Sequence, residues 1–270
     1  VKQVPDTTEV KIDPKTNTLV REGVPSILNP FDQFALEEAF KVRKALVVEN
    51  PENDGKIEIV VLSMGPPQAK KALMKCLALG ADRAILLSDR AFAGADTFAT
   101  AFTLTEAIKK IGDYAVIFTG LQAIDGDTAQ VGPEIAAQLG IPQITYVEEV
   151  IKIKGKKLEA KAQTDDGYNI LEAKLPVLIA GITPSSFEPT NPPMMSIIKA
   201  KKKPFETWSA DDFEVEKSNF GLEGSLTQVI RVFPPPKREK GEIFTDEPKI
   251  AVEKLLDKLS DVGVFYFDSC

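Results

Sequence analysis

Three short apolar runs, each followed by a stretch with helical period, constrain this chain more than any other feature. Ile57-Glu58-Ile59-Val60-Val61-Leu62 reads as a strand, and Pro66 to Leu79 as the helix after it, closed by Gly80. Ala84-Ile85-Leu86-Leu87 is the next strand, followed by a helix from Asp96 to Ile111, with Asp96 as N-cap and Gly112 as stop. Ala115-Val116-Ile117-Phe118-Thr119 then leads into a helix from Thr128 to Leu139, ended by Gly140. Strands that alternate with helices at this spacing need crossover connections, so they predict βαβ units and a parallel sheet. A further helix is predicted from Asp32 to about Leu46, where Phe34, Leu36, Ala39 and Phe40 repeat at helical spacing.

The pattern changes after Pro142. Ile144 to Ile153, Leu158 to Gln163 and Tyr168 to Ala173 read as strands joined by Lys-Gly and Asp-Gly turns, and Val177 to Ala180 as a buried strand. Prolines crowd the chain from Pro184 onward, including Pro234-Pro235-Pro236, and exclude regular helix or central strand there. A last amphipathic helix is expected from Pro248 to Leu259. These features predict a doubly wound, mostly parallel α/β sheet of flavodoxin-like (adenine-nucleotide-hydrolase-like) type over residues 1–181. An extended arm over 182–270 would run across a surface or a partner.

Composition narrows the chemistry. The net charge of -7 gives no field that attracts nucleic acid, and no apolar run reaches the roughly 20 residues of a membrane-spanning helix. With 0 histidines, His-based zinc sites, catalytic triads and imidazole acid–base catalysis are excluded. The 2 cysteines, Cys76 and Cys270, make no disulfide framework and fit a reducing, cytoplasmic setting. Cys76 lies on the apolar face of its helix beside Ala72 and Leu73 and reads as a buried thiol. Trp208 is expected to pack the arm onto a partner or the core, and Asp211 and Asp212 to cap a turn.

The segment richest in chemistry is Gly120 to Glu134, between a predicted strand and a predicted helix. Ligands of open α/β sheets bind at such strand ends. Gly126 is suited to a tight turn with positive φ, and Thr128 to capping the helix or bonding a phosphate. Backbone N–H groups at the helix start attract anions. Asp125 and Asp127 would repel phosphate directly, so they are expected to cap the turn or hold ribose hydroxyls. On the residues alone, a capped turn with no ligand explains the segment equally well.

The stretch GLQAIDGDTAQVGPEIAAQLGIPQ closely resembles the signature of electron transfer flavoprotein beta subunits. Three other segments resemble the same family in the same order: VKQVPDTTEVKIDP, ILNPFDQFALEEA and VLSMGPPQAKKAL. The resemblance is clear from Val1 to about Pro193. It implies an adenine-nucleotide pocket lined by Asn29, Pro30, Phe31 and Asp32, by Met64 and Gly65, and by Ala123, Ile124, Asp125, Gly126, Asp127, Thr128, Ala129, Gln130, Val131, Gly132, Pro133 and Glu134. For Met64 alone, core packing is the plainer reading. The resemblance also implies a short strand upstream of Val1 that touches the adenine. Leu121 stands where family members usually carry Lys or Arg.

Conventional members hold AMP in this pocket, whereas electron-bifurcating members hold FAD. The run from Asp125 to Pro133, with small Gly126 within it, resembles the bifurcating branch, which implies FAD with AMP as the alternative. NAD(H) would then be a transient substrate. Ile182 to Pro204 resembles the family's recognition loop, with Met194 at the position of its usual leucine anchor. It implies that Met194 and Met195 enter an apolar pocket of a partner and that Lys199, Lys201, Lys202 and Lys203 steer toward it. Without the resemblance, a buried methionine pair and a solvated lysine face are the plainer readings. The implied partners are the electron transfer flavoprotein alpha subunit and an acyl-CoA dehydrogenase or related flavoprotein oxidoreductase. Redox chemistry would belong to the flavin, with no catalytic side chain of this chain and no metal. A regulatory nucleotide-binding module without redox work is the rival from another class.

Overall fold

The structure is a computed structural model that describes residues 1–6, 12–13, 18–19, 25–230 and 241–264. Cys270 and the Pro234-Pro235-Pro236 run lie outside the described residues. The chain divides into two compact units, Val1–Arg231 and Val232–Cys270. The first unit opens with β1 (Gln3–Pro5), β2 (Ile12–Asp13), β3 (Thr18–Leu19), β4 (Ser26–Leu28) and helix α1 (Pro30–Glu49). Alternation follows: β5 (Val60–Met64), α2 (Lys70–Leu79), β6 (Arg83–Leu87), α3 (Thr97–Ile111), β7 (Val116–Gly120) and α4 (Val131–Leu139). Then come β8 (Gln143–Lys154), β9 (Lys157–Thr164), β10 (Gly167–Lys174), β11 (Val177–Gly181), α5 (Met194–Ala200) and β12 (Phe205–Trp208). The second unit contributes α6 (Pro248–Asp261), whose residues are all at least partly exposed. Ion pairs Lys254–Asp246 (2.7 Å) and Lys258–Glu242 (2.6 Å) lie within that unit.

The expected parallel α/β architecture is present. β5, β6 and β12 form a parallel three-stranded sheet in the order β12-β6-β5. β7 and β8 flank β11 in parallel, and β8, β9 and β10 continue as an antiparallel meander, giving the order β10-β9-β8-β11-β7. Both faces of β6 are covered, because its side chains alternate between two cores. Ala84 and Leu86 join Leu73, Cys76 and Leu77 of α2, while Ile85 and Leu87 join Phe92, Trp208 and Phe220 on the other side. β11 is buried throughout, and Leu178 and Ala180 pack under Ile135 and Ala136 of α4. Among the described residues, no helix is long and apolar enough to cross a membrane.

Phe205–Trp208 was expected in an arm, yet it forms the outer strand of the three-stranded sheet. Trp208 is a core residue, with its indole N–H donating to Glu206 Oε2 at 3.0 Å. The prolines up to Pro204 mark the preceding segment as irregular, and the four residues after them are too short a run to read as a strand. Asp96 caps α3 by accepting the Ala99 N–H at 2.9 Å, and Asp212 closes a capping box with Ser209.

Cys76 is fully buried, and burial pushes its thiol up to about 12. In a Cys270→Ser protein, reaction of the remaining thiol with Ellman's reagent at pH 8 should therefore follow the unfolding rate. Immediate labelling of native protein would contradict this burial.

Asp89 accepts the N–H of Ala91 and that of Ala210, each at 3.0 Å, and these bonds hold its carboxyl below the ordinary 3.8. A carboxylate depressed in the fold adds stability that is complete above its unfolded value and fades as pH falls through its folded value. Asp89→Asn should thus be less stable than wild type at pH 6, with the gap narrowing as pH falls below the ordinary 3.8. Urea unfolding at several pH values checks it, and a pH-independent gap would refute it.

Candidate nucleotide site at the strand ends

The C-terminal ends of β5 and β7, the start of α1 and the loop before α4 meet in one place. The first turn of α1 fastens the loop. Asn29 is 1% exposed and uses both halves of its amide: Nδ2 donates to the Gln122 carbonyl at 2.8 Å, and Oδ1 accepts the Ile124 N–H at 3.3 Å. Asp32, also buried, accepts the Lys2 N–H at 2.6 Å on one oxygen and the Gly120 N–H at 3.1 Å on the other. A charged acceptor with two backbone donors is a strong clamp. Gly120 permits this approach, since a Cβ there would lie 2.5 Å from Asp32 Oδ1 and 2.7 Å from Phe31 Cβ. Farther along the loop, Lys2 Nζ pairs with Asp125 Oδ1 at 2.7 Å, although the two residues lie far apart in sequence.

Beyond this clamp the backbone turns donors outward. Asp127 and Ala129 have positive φ, +49° and +53°, and Gln130 returns to the right-handed helical region as N-cap of α4. Left- and right-handed residues in succession form a nest, in which consecutive N–H groups point into one concavity that suits an anion. Among the described residues, the N–H groups of Thr128, Ala129, Gln130, Val131 and Gly132 have no protein acceptor. Pro133 has no N–H to leave unpaired. These donors sit at the positive end of α4.

Two local expectations change. Positive φ falls on Asp127 and Ala129 rather than on Gly126: aspartate enters the left-handed region more readily than most residues, and Ala129 is held there against its own preference by the clamped loop. Thr128 does not cap the helix: α4 starts at Val131, and no side chain caps it. The helix is shorter at this end because the nest occupies the turn that Thr128 to Gln130 would have filled.

The acidic groups are engaged elsewhere. Asp127 Oδ1 accepts from Gln122 Nε2 at 3.0 Å, and Asp125 is tied to Lys2. Glu134 accepts the Thr97 hydroxyl at 3.1 Å on one oxygen, while its second oxygen is buried without a partner. Burial, with Asp96 nearby, pushes its carboxyl up, and only the Thr97 bond opposes this. Gly132 seats the helix start on β7, since a Cβ there would lie 2.8 Å from Thr119 Oγ1.

Met64 packs into the core and, with Gly65, lines a cleft of about 60 Å³ beside Lys2, Pro5 and Gln68. That space suits a water or two. A nucleotide would therefore lie over the open face of the loop, where Ile124, Gly126, Asp127, Thr128 and Gln130 are exposed. Pro30 and Phe31 are half-buried at the head of α1. The residues present fit a phosphate-bearing ligand: five free donors, small side chains around them, and the Asp125 and Asp127 carboxylates held by other partners. A cavity of about 740 Å³ lies at the opposite ends of β5 and β6, lined by Phe40, Arg43, Val47 and Asp82 among others. Sequence reading missed Lys2 and Gln122, whose roles depend on partners that only folding brings near.

The second predicted surface is distinct. Met194 and Met195 on α5 are 72% and 64% exposed, with Ile197 and Ile198 also exposed, so the buried-pair reading is excluded. Lys199, Lys201 and Lys202 are exposed beside them. Lys203 separates from that set. Its ammonium donates to the Leu77 carbonyl at 2.9 Å and to the Ala81 carbonyl at 2.5 Å, closing the end of α2, and burial lowers its pKa.

The sequence is shared with known proteins over most of its length. The family model described as the electron transfer flavoprotein domain matches residues 16–213. "Electron transfer flavoprotein subunit beta" of Thermoanaerobacterium thermosaccharolyticum is 51% identical over 261 residues, covering 96% of each chain. The Clostridium acetobutylicum protein of the same name is 48% identical, covering 97% of this chain and 96% of that one. "Caffeyl-CoA reductase-Etf complex subunit CarD" of Acetobacterium woodii is 49% identical, covering 90% and 89%. A domain match across most of the chain and these identities over nearly full length show that the chain belongs to the electron transfer flavoprotein family, among its beta subunits.

Proposed function

We propose that this chain binds FAD over the Ala123–Glu134 loop and works with an alpha subunit to take electrons from NADH and exchange them with an acyl-CoA dehydrogenase-type flavoenzyme. Electron transfer is the role of the family, and a beta subunit implies an alpha subunit. The observation that carries the nucleotide reading is the run of five unpaired N–H groups from Thr128 to Gly132. They would hold the phosphates, and Asn29 and Asp32 would keep the loop in shape. When bound, the flavin supplies the redox chemistry, receiving a pair of electrons and releasing them singly in bifurcation. The chain positions it through backbone donors and supplies no acid–base residue of its own.

The same donors fit AMP. FAD is favoured because nothing within 4 Å crowds a Cβ at Gly126, which leaves room over the turn for a larger ligand, and because a similar protein is named as part of a caffeyl-CoA reductase–Etf complex. The exposed Met194–Ile198 face would dock the partner flavoenzyme, and the setting is proposed to be cytoplasmic. The test is flavin content and the visible spectrum of the purified heterodimer, before and after NADH. Two flavins per heterodimer with bleaching by NADH support the reading. One flavin with AMP rejects FAD here, and a colourless chain that binds ATP alone favours the regulatory module.

A further inference from the structure

α1 grips two separate parts of the molecule with successive turns. Its first turn holds the nucleotide loop and the end of β7 through Asn29 and Asp32. Its next residues hold the segment that leads into α5. Gln33 is 3% exposed and donates to the Thr190 carbonyl at 2.7 Å. Glu37 accepts the Thr190 N–H at 3.0 Å on one oxygen and the Thr190 hydroxyl at 3.1 Å on the other. Gln33 also donates to Glu37 at 3.1 Å and accepts from Lys75 of α2 at 2.8 Å, and α2 is the helix against which α5 packs. Phe34 meets Phe187 edge-on at 5.3 Å between centroids. Thr190 thus has its N–H, its carbonyl and its hydroxyl all satisfied by α1, just ahead of Met194.

We propose that Gln33 and Glu37 are positioning residues that couple nucleotide occupancy to the placement of the exposed Met194–Ile198 face. The inference rests on the nucleotide reading of the Ala123–Glu134 loop. The physical link is a short rigid one. Asn29 and Glu37 are separated by about 12 Å along one helix, at 1.5 Å rise per residue, so the two grips move together. A ligand that orders the nest tightens the loop on Asn29 and Asp32, and the same helix end then holds Thr190 and the start of α5 in one position. Without the anion, that helix end is held by its protein contacts alone, and α5 is held less firmly. Each ligand state thereby favours one arrangement of the partner-facing helix, which is the condition for coupling between sites.

The test is hydrogen exchange on the full heterodimer, stripped of nucleotide and reloaded with FAD or with AMP as probe. In wild type, reloading should slow exchange at Thr190 and across residues 194–200 about tenfold. Glu37→Ala should keep its nucleotide content, exchange fast in that segment in both states, and lose the response. Glu37→Gln retains one acceptor for the Thr190 N–H and turns an amide donor toward the Thr190 hydroxyl oxygen, so it should recover much of the response, a rescue that separates positioning from general destabilisation. Binding of FAD or AMP with no change at 194–200 overturns the coupling alone. So does a Glu37→Ala protein that responds as wild type does. Failure of both probes to bind overturns the nucleotide reading and the coupling with it.

Discussion

Replacing Asp32 with alanine is expected to cost about 3 kcal/mol of stability, from two hydrogen bonds to a buried charge at roughly 1.5 kcal/mol or more each. The carboxylate is nearly inaccessible and bonds the N–H of Lys2 and of Gly120, so alanine leaves both donors without an acceptor in a site closed to water. In a domain of this size 3 kcal/mol lowers Tm by roughly 9 °C. Nucleotide should be lost in the same variant, because Gly120 opens the loop whose far end forms the nest. Calorimetry and the nucleotide released on denaturation check both effects. Asp32→Asn, which keeps one acceptor and points an N–H₂ at the other donor, should fall between wild type and Asp32→Ala. A Tm within 2 °C of wild type, with nucleotide content unchanged, would sink the clamp.

The second large effect is at Ala129. Its φ is +53°, whereas proline fixes φ near −65° and removes the N–H. Ala129→Pro should therefore destroy the nest and delete one of its donors, weakening nucleotide binding about 100-fold, or roughly 2.7 kcal/mol. Ala129→Gly enters the left-handed region freely and keeps its N–H, so it should bind within about threefold of wild type. Titration of the stripped heterodimer with AMP and with FAD distinguishes the two variants, and circular dichroism shows whether α4 survives. Equal binding by Ala129→Pro and wild type would remove the backbone cradle from the explanation.

Much of the fold was legible because apolar period survives in one dimension. The β5–α2–β6–α3–β7 alternation was readable from runs such as Ile85-Leu86-Leu87 and from stops at Gly80, Gly112 and Gly140. β12 was not, because four residues directly after Pro204 carry too little pattern and gain their strand identity only from pairing with β6. The loop from Gly120 to Glu134 was identifiable as a site, yet its inner mechanics were misassigned. Positive φ went to the glycine, on intrinsic preference, while in the fold Asp127 and Ala129 take it because Asn29 and the Lys2–Asp125 pair fix the preceding residues. Residue type alone put Met194 and Met195 inside and the family resemblance put them outside; their exposure agrees with the second, since methionine serves core and surface alike.

The order of residues by itself determined the alternating layers, the helix stops, the absence of histidine chemistry and the position of the donor-rich loop. Those depend on local propensity and on hydrophobic period, which act over a few residues. Only the tertiary structure decided which donors stay free, which carboxylates are already occupied, and that one helix end holds both the loop and Thr190. Hydrogen-bond partners such as Gln33 and Thr190 are brought together by packing across the fold, and no short-range rule carries that information.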